Sequence, residues 1–173
     1  EFYNSQYNKS YLTLMPCNLY GPNDNFNSQK SHFLPALIKK VIENKKLNNV
    51  FIEIWGTGVP KREVMHVDDL ASAIGFILKK KIKNDKKLLR LIKQTSVINV
   101  GSGIEYSVAN FAKIICKVLN NKNKLSFNKD YPDGTMRKIL DSTLIKSLGW
   151  KPKIKIKDGL NETIKWYKKN YPN

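Results

Sequence analysis

"SYLTLMPCNLYGPNDNF", residues 10–26, changes character halfway along. Its first part, "SYLTLMPC", reads as a strand. The second, "NLYGPNDNF", gathers turn formers, one Tyr and one acid with almost no apolar content. The "SHFLPALIKKVIENKK" that follows (31–46) reads as a helix. A strand that hands a polar loop to a helix puts that loop at the strand's carboxyl end, where ligands bind in open α/β sheets. The same residues also make a plain Gly-Pro-Asn turn, and the stretch by itself leaves both readings open.

The rest of the chain continues the alternation. Phe33, Leu34, Leu37, Ile38, Val41 and Ile42 fall on one helical stripe, with Pro35 in the first turn. Residues 67–80 place Leu70, Ala71, Ile74, Ile77 and Leu78 on one side behind Asp68 and Asp69, acids suited to a helix N-terminus. A helix over 107–120 opens at Ser107, a good cap. Asp141 is expected to cap a short helix stopping at Gly149, and Asp158 to cap "GLNETIKWYKKN". Strands are expected at 11–15, 50–55, 96–100 and 124–127, and the Lys/Asn-rich pieces around 43–49 and 120–124 read as loops. Strands alternating with helices make this an α/β protein.

The 173 residues suffice for one ordinary domain with a core and are short for two. No stretch approaches the roughly 20 consecutive apolar residues of a membrane span, and no signal-peptide pattern opens the chain. A soluble, intracellular, cytoplasmic protein is therefore expected. Glu1 stands where an initiator Met would, and "EFYNSQYNKSYLTLM" reads as a helix end running into a strand, so the expectation is the later part of a longer protein.

Lys and Arg number 31 against 14 acids, a formal charge of +17. Such a charge admits a nucleic-acid or anionic partner. The excess is Lys accompanied by abundant Asn and Ile, with only Arg62, Arg90 and Arg137 as arginines, a pattern of compositional drift on solvated faces. "KKKIKNDKKLLRLIKQT" (79–95) has no aromatics for bases to stack on and reads as a basic surface loop. Cys17 and Cys116 make no disulfide framework and lack metal-ligand spacing, so no metal is expected. Cys116 sits among core positions, and Cys17 ends a strand as either a packed or a reactive thiol.

A second stretch, "IWGTGVPKREVMHVDDLA" (54–71), suggests chemistry. Two glycines after Trp55 let backbone N–H groups approach a ligand, and Arg62 offers a planar fork for phosphate oxygens. A strand-turn-strand link with Arg62 in an ordinary salt bridge to a nearby acid is the alternative. His66, just before a helix, reads as packed.

Taken in order, "NLYGPNDNF", "SHFLPALIKK", "EIWGTGVPKREVMHVDDLA", "INVGSG" and "PDGTMRKILD" resemble the extended short-chain dehydrogenase/reductases that act on nucleotide sugars. Within that family they are most similar to the branch that epimerises a GDP-4-keto-6-deoxy sugar at C3 and C5 and reduces C4 with NADPH. The resemblance covers essentially the whole chain. It implies the C-terminal part of an extended Rossmann-type reductase, with residues 1–26 ending the dinucleotide-binding domain and 27–173 forming the smaller substrate-binding α/β domain. Some elements, such as the helix at 67–80, could pack back on the former.

The resemblance puts Pro16, Cys17, Asn18 and Leu19 beside the nicotinamide of NADP. Cys17 replaces an expected Thr, and the family's catalytic Cys would lie upstream of residue 1. His32 matches the active-site histidine, which also contacts cofactor. Epimerisation beside a ketone needs an acid as well as a base, and imidazole serves near neutral pH. Lys40, Trp55, Arg62 and Asp133 match residues contacting the GDP-sugar: two cations for a diphosphate, a flat apolar wall and an acceptor for hydroxyls.

The resemblance further implies a homodimer in the full-length protein, with no nucleic-acid or membrane partner. Neither a Gly-rich turn opening a strand-turn-helix unit nor a Tyr-x-x-x-Lys pair occurs in this chain, so the 173 residues alone are expected to be inactive. Another nucleotide-sugar epimerase or dehydratase of the same type, and a basic nucleic-acid-binding domain, are the rival readings.

Overall fold

The computed structural model describes residues 2–27, 30–80, 85–94 and 96–172, with backbone alone for 91–94. The elements run α1 (Phe2–Tyr7), β1 (Thr13–Pro16), β2 (Asn18–Tyr20), α2 (Phe33–Lys46), β3 (Phe51–Trp55), β4 (Lys61–His66), α3 (Val67–Lys79), α4 (Lys86–Gln94), β5 (Val97–Val100), β6 (Glu105–Ser107), α5 (Val108–Val118), β7 (Lys124–Asn128), β8 (Arg137–Lys138), α6 (Thr143–Ser147) and α7 (Ile156–Asn170). The α/β class is as expected. The chain divides into two compact units, the first made of Glu1–Leu19, Glu63–Ile104 and Ile139–Lys153, the second of Tyr20–Arg62, Glu105–Lys138 and Ile154–Asn173. The first break between them along the chain comes after Leu19, and α3 falls in the first unit.

In the first unit β1 pairs in parallel with β5, Thr13 opposite Val97 through Pro16 opposite Val100. Parallel pairing requires a long crossover, supplied here by everything between the two strands. Met65, Ala73, Ile77, Leu88, Ile98, Val100, Ile145, Leu148 and Trp150 form the core, with Leu12, Leu14 and Cys17 packed against it. Each Leu, Ile, Val or Met among them contributes about 1.5–3 kcal/mol by leaving water.

In the second unit β3 pairs in parallel with β7, Phe51 opposite Lys124 through Trp55 opposite Asn128. α2 packs on β3 and α5, and α5 packs on α7. The expected stripe of α2 is buried at Leu34, Leu37, Ile38, Val41 and Ile42. Ser107 caps α5 as expected, its hydroxyl accepting from the Asn110 N–H at 3.1 Å.

α2 ends at Lys46 as the helical reading of 31–46 had it, and not at the loop read around 43–49. Three other local expectations change. α7 starts at Ile156, which puts Asp158 in its first turn rather than at the cap. Ser142 holds the cap position of α6, although Asp141 Oδ1 still accepts from Thr143 N at 2.9 Å. The basic stretch 79–95 contains helix α4, pinned by fully buried Leu88 and by Asp85, which accepts from Leu88 N at 3.0 Å and pairs with Lys80 at 3.1 Å. Residues 81–84 and 95 of that stretch lie outside the described residues. No described helix is long and apolar enough to cross a membrane.

Candidate functional site

Strand β3 alternates exposed and buried residues, so Glu53 and Trp55 share the exposed face while Ile52 and Ile54 enter the core. Trp55 is 57% exposed yet held in place. Tyr131 stacks on it with ring centroids 4.3 Å apart and planes 10° off parallel, and Lys40 Nζ lies 4.9 Å from the indole centroid. Its Nε1 donates to Glu53 Oε2 at 3.1 Å.

The chain then turns through Gly56 and Gly58, at φ 76° and 71°, a region where a side chain is strained. A methyl on Gly56 would also strike the Asp133 carboxylate, and one on Gly58 the Phe127 ring. Asp133 closes the turn, accepting from Thr57 N at 2.9 Å and Thr57 Oγ1 at 2.5 Å. Arg62 Nη1 donates to the Lys61 and Thr135 carbonyls at 2.8 and 2.5 Å. Among the described residues no carboxylate neutralises Arg62; the expected alternative of a salt bridge does not form. Lys40, Trp55, Arg62 and Asp133 are thus joined, through Tyr131, Thr57 and Thr135, within the second unit.

His32 also belongs to that unit, at the cap position of α2, where its exposed side chain makes no capping hydrogen bond. The loop before it is tied down by its own side chains. Asp24 Oδ1 accepts from Asn25 N at 2.7 Å and Asn25 Oδ1 from Asn27 N at 2.9 Å. Phe26, 1% exposed, anchors the loop against Trp166, Tyr167 and Tyr171. Burial raises the Asp24 carboxyl above its ordinary range, opposed by the Asn25 N–H and by His32 nearby.

Pro16, Cys17, Asn18 and Leu19 lie in the first unit, at the end of β1 and the start of β2. Cys17 N donates to the Val100 carbonyl at 3.0 Å. Burial, with the Glu63 carboxylate adding to it, pushes the Cys17 thiol up to about 11, which leaves it protonated and unreactive at neutral pH. Both cysteines are free. His66 is buried and caps α3, Nδ1 accepting from Asp68 N at 3.3 Å.

Sequence reasoning passed over several residues. Glu63, 1% exposed, accepts from Gly103 N at 2.6 Å and Leu140 N at 2.8 Å, binding two loops of the first unit together. Tyr131, Thr57, Glu53 and Asn128 complete the second unit's cluster, and Asn128 Nδ2 donates to Glu53 Oε1 at 2.9 Å. The period of two in "FIEIW" was a usable signal for Glu53; Asn128 and Tyr131 depend on the β3–β7 register, which no local pattern carries.

A family model described as the NAD dependent epimerase/dehydratase family matches residues 1–101. The chain is 42% identical over 170 residues, 98% of its length, to the probable GDP-L-fucose synthase 1 of Oryza sativa subsp. japonica, of which it covers 48%. Among solved structures it is similar to a GDP-6-OMe-4-keto-L-xylo-heptose reductase from C. jejuni, with TM-score 0.79 and 34% identity over 98% of this chain and 57% of that one. It is also similar to a GDP-mannoheptose C4 reductase from Campylobacter jejuni with NADP bound, with TM-score 0.75 and 35% identity over 97% of this chain and 56% of that one. The chain spans about half the length of the curated relatives it matches.

Proposed function

The chain belongs to the NAD dependent epimerase/dehydratase family, and from that premise we propose that it forms the nucleotide-sugar side of a GDP-L-fucose synthase. That enzyme converts GDP-4-keto-6-deoxy-D-mannose to GDP-L-fucose with NADPH. The observation that carries the reading is Arg62, a guanidinium fixed by two carbonyls and left without a counter-charge among the described residues. Its unit also holds Lys40, Trp55 and Asp133. A diphosphate supplies the missing negative charge and matches the planar fork.

Each group then has a task. Arg62 and Lys40 bind the diphosphate, Trp55 gives a flat wall, and Asp133 holds the glycine turn in shape while offering lone pairs to hydroxyls. His32, exposed at the head of α2, donates or accepts a proton at the carbon being inverted. The end of β1, through Pro16–Leu19, offers the nicotinamide a neutral surface, since Cys17 keeps its proton. NADPH, when bound, supplies the hydride for C4. In this reading the first unit serves the cofactor and the second the substrate. The whole protein works in the cytoplasm as a homodimer, without a nucleic-acid partner.

Calorimetric titration of the folded chain with GDP, UDP and a random DNA duplex, at low and moderate salt, tests the reading. Selective GDP binding that Arg62→Ala weakens at least about tenfold is expected, the range of one lost charged hydrogen-bond pair. Steeply salt-dependent DNA binding with no response to GDP would contradict it. The C. jejuni reductases act on other GDP-sugars by their names, so turnover of a panel of GDP-4-keto sugars by the whole protein separates the fucose reading from theirs.

A further inference from the structure

Glu53 is an exposed carboxylate whose position is nonetheless fixed. Oε2 accepts from the Trp55 indole N–H at 3.1 Å and Oε1 from Asn128 Nδ2 at 2.9 Å. Asn128 is itself oriented, because its Oδ1 accepts from Asp130 N at 3.0 Å. The parallel register that puts Trp55 opposite Asn128 puts Glu53 opposite Ser126, with both β3 side chains on the exposed face. Beside this carboxylate, Trp55 already carries one flat ring, Tyr131, in the parallel geometry a nucleobase takes on an aromatic side chain. Lys40 Nζ stands near the same indole and brings a cation to this cluster.

We propose that Glu53, positioned by Trp55 and Asn128, is the guanine-reading residue of this chain, accepting from the N1–H and 2-amino group of a base stacked with the Trp55–Tyr131 pair. The inference rests on the nucleotide-sugar reading above and adds to it the base the site selects. Each carboxylate oxygen has two acceptor positions and uses one within the protein, so each has one left for the base. Guanine presents two adjacent donors on its pairing edge. Adenine presents a lone pair at N1, which would face a carboxylate oxygen, and uracil has a single N–H between two carbonyls. A site made of acceptors rejects bases that cannot donate, because its polar atoms are then left unpaired. The hydrogen bonds from Asn128 and Trp55 also hold the Glu53 carboxyl below its ordinary range, which keeps it an acceptor at neutral pH.

The test is the affinity of the 173-residue chain for GDP, inosine diphosphate, ADP and UDP, in the unaltered protein and in Glu53→Gln, with Arg62→Ala alongside. Inosine diphosphate lacks only the 2-amino group. The unaltered chain is expected to prefer GDP to inosine diphosphate by about tenfold and to ADP by more. Glu53→Gln should erase most of the GDP preference at unchanged thermal stability, since the side chain is exposed. GDP binding that depends on Arg62 but shows no preference among the bases, or a preference that survives Glu53→Gln, would overturn this inference and leave the proposed function standing. Failure of all four nucleotides to bind the folded chain would overturn both.

Discussion

The two units use their acidic side chains in different ways. In the first, Glu63 is buried and occupied by the backbone N–H groups of Gly103 and Leu140, and buried Asp69 accepts from Lys153 N at 2.9 Å. These carboxylates replace lost water with main-chain donors and so fasten loops together. In the second, Glu53 and Asp133 hold neighbouring side chains and one turn while keeping acceptor positions free, and Arg62 holds carbonyls while keeping its charge. In the first unit these acids serve the fold alone; in the second, Glu53, Asp133 and Arg62 keep the positions that the proposed ligand would use. Net charge alone, at +17 for the chain, gives no hint of that division.

The largest effect separating the units should come from Glu63→Gln. Its amide would turn a second donor toward a buried backbone N–H, and the loss in unfolding free energy is expected to be about 3 kcal/mol, read by denaturant titration. A loss below about 0.5 kcal/mol would mean that Glu63 does not fasten those loops. Trp55→Ala should behave oppositely, changing stability by less than about 0.5 kcal/mol as an exposed substitution while lowering GDP affinity about tenfold or more. A variant that unfolds early without a change in affinity would move Trp55 into the class of Glu63.

Smaller effects depend on pH. The Glu53 carboxyl, held by Asn128 and Trp55 with Lys40 nearby, titrates below the ordinary 4.5. A depressed folded value means that its contribution is present above the unfolded value and lost as pH falls through the folded one. The Glu53 contribution to GDP affinity, read as the difference between the unaltered chain and Glu53→Gln, should accordingly stay constant above the ordinary carboxylate value of 4.5 and be lost only below it. The smallest effect concerns Cys17, whose thiol stays protonated up to about pH 11. Alkylation by iodoacetamide should be very slow at pH 8 and climb toward pH 11. It should start at lower pH in Glu63→Gln, because the negative neighbour is gone; an unchanged profile in that variant would show that burial alone sets the thiol.

Much of this fold could be read in the chain itself, where local periodicity and burial agree. The stripe of α2, the Ser107 cap of α5 and the strands β1, β3, β5 and β7 all came from spacing. Strand β4 appeared only within the alternative strand-turn-strand reading, because "KREVMH" mixes charges with apolar residues and pairs in part through Lys61 and Arg62 opposite Arg137 and Lys138. Helix α4 was hidden among lysines, its placement resting on one buried leucine and the Asp85 contacts. Of the side chains singled out for substrate, Arg62 stood out by its place after the glycine turn, whereas Lys40, Trp55 and Asp133 were picked out only by the resemblance. The partners Tyr131, Asn128 and Thr135 are distant in sequence and are brought in by the β3–β7 and β4–β8 pairings and the glycine turn.

Backbone amide shifts of the labelled chain during a GDP titration test the central claim most directly. Saturable shifts are expected to gather in the second unit, around Lys40, Glu53–Arg62, Asn128 and Tyr131–Thr135. Shifts gathered instead on the lysine-rich helix α4 and the ends of α3, non-saturating and erased by moderate salt, would make GDP only one more anion on a basic surface and would contradict it.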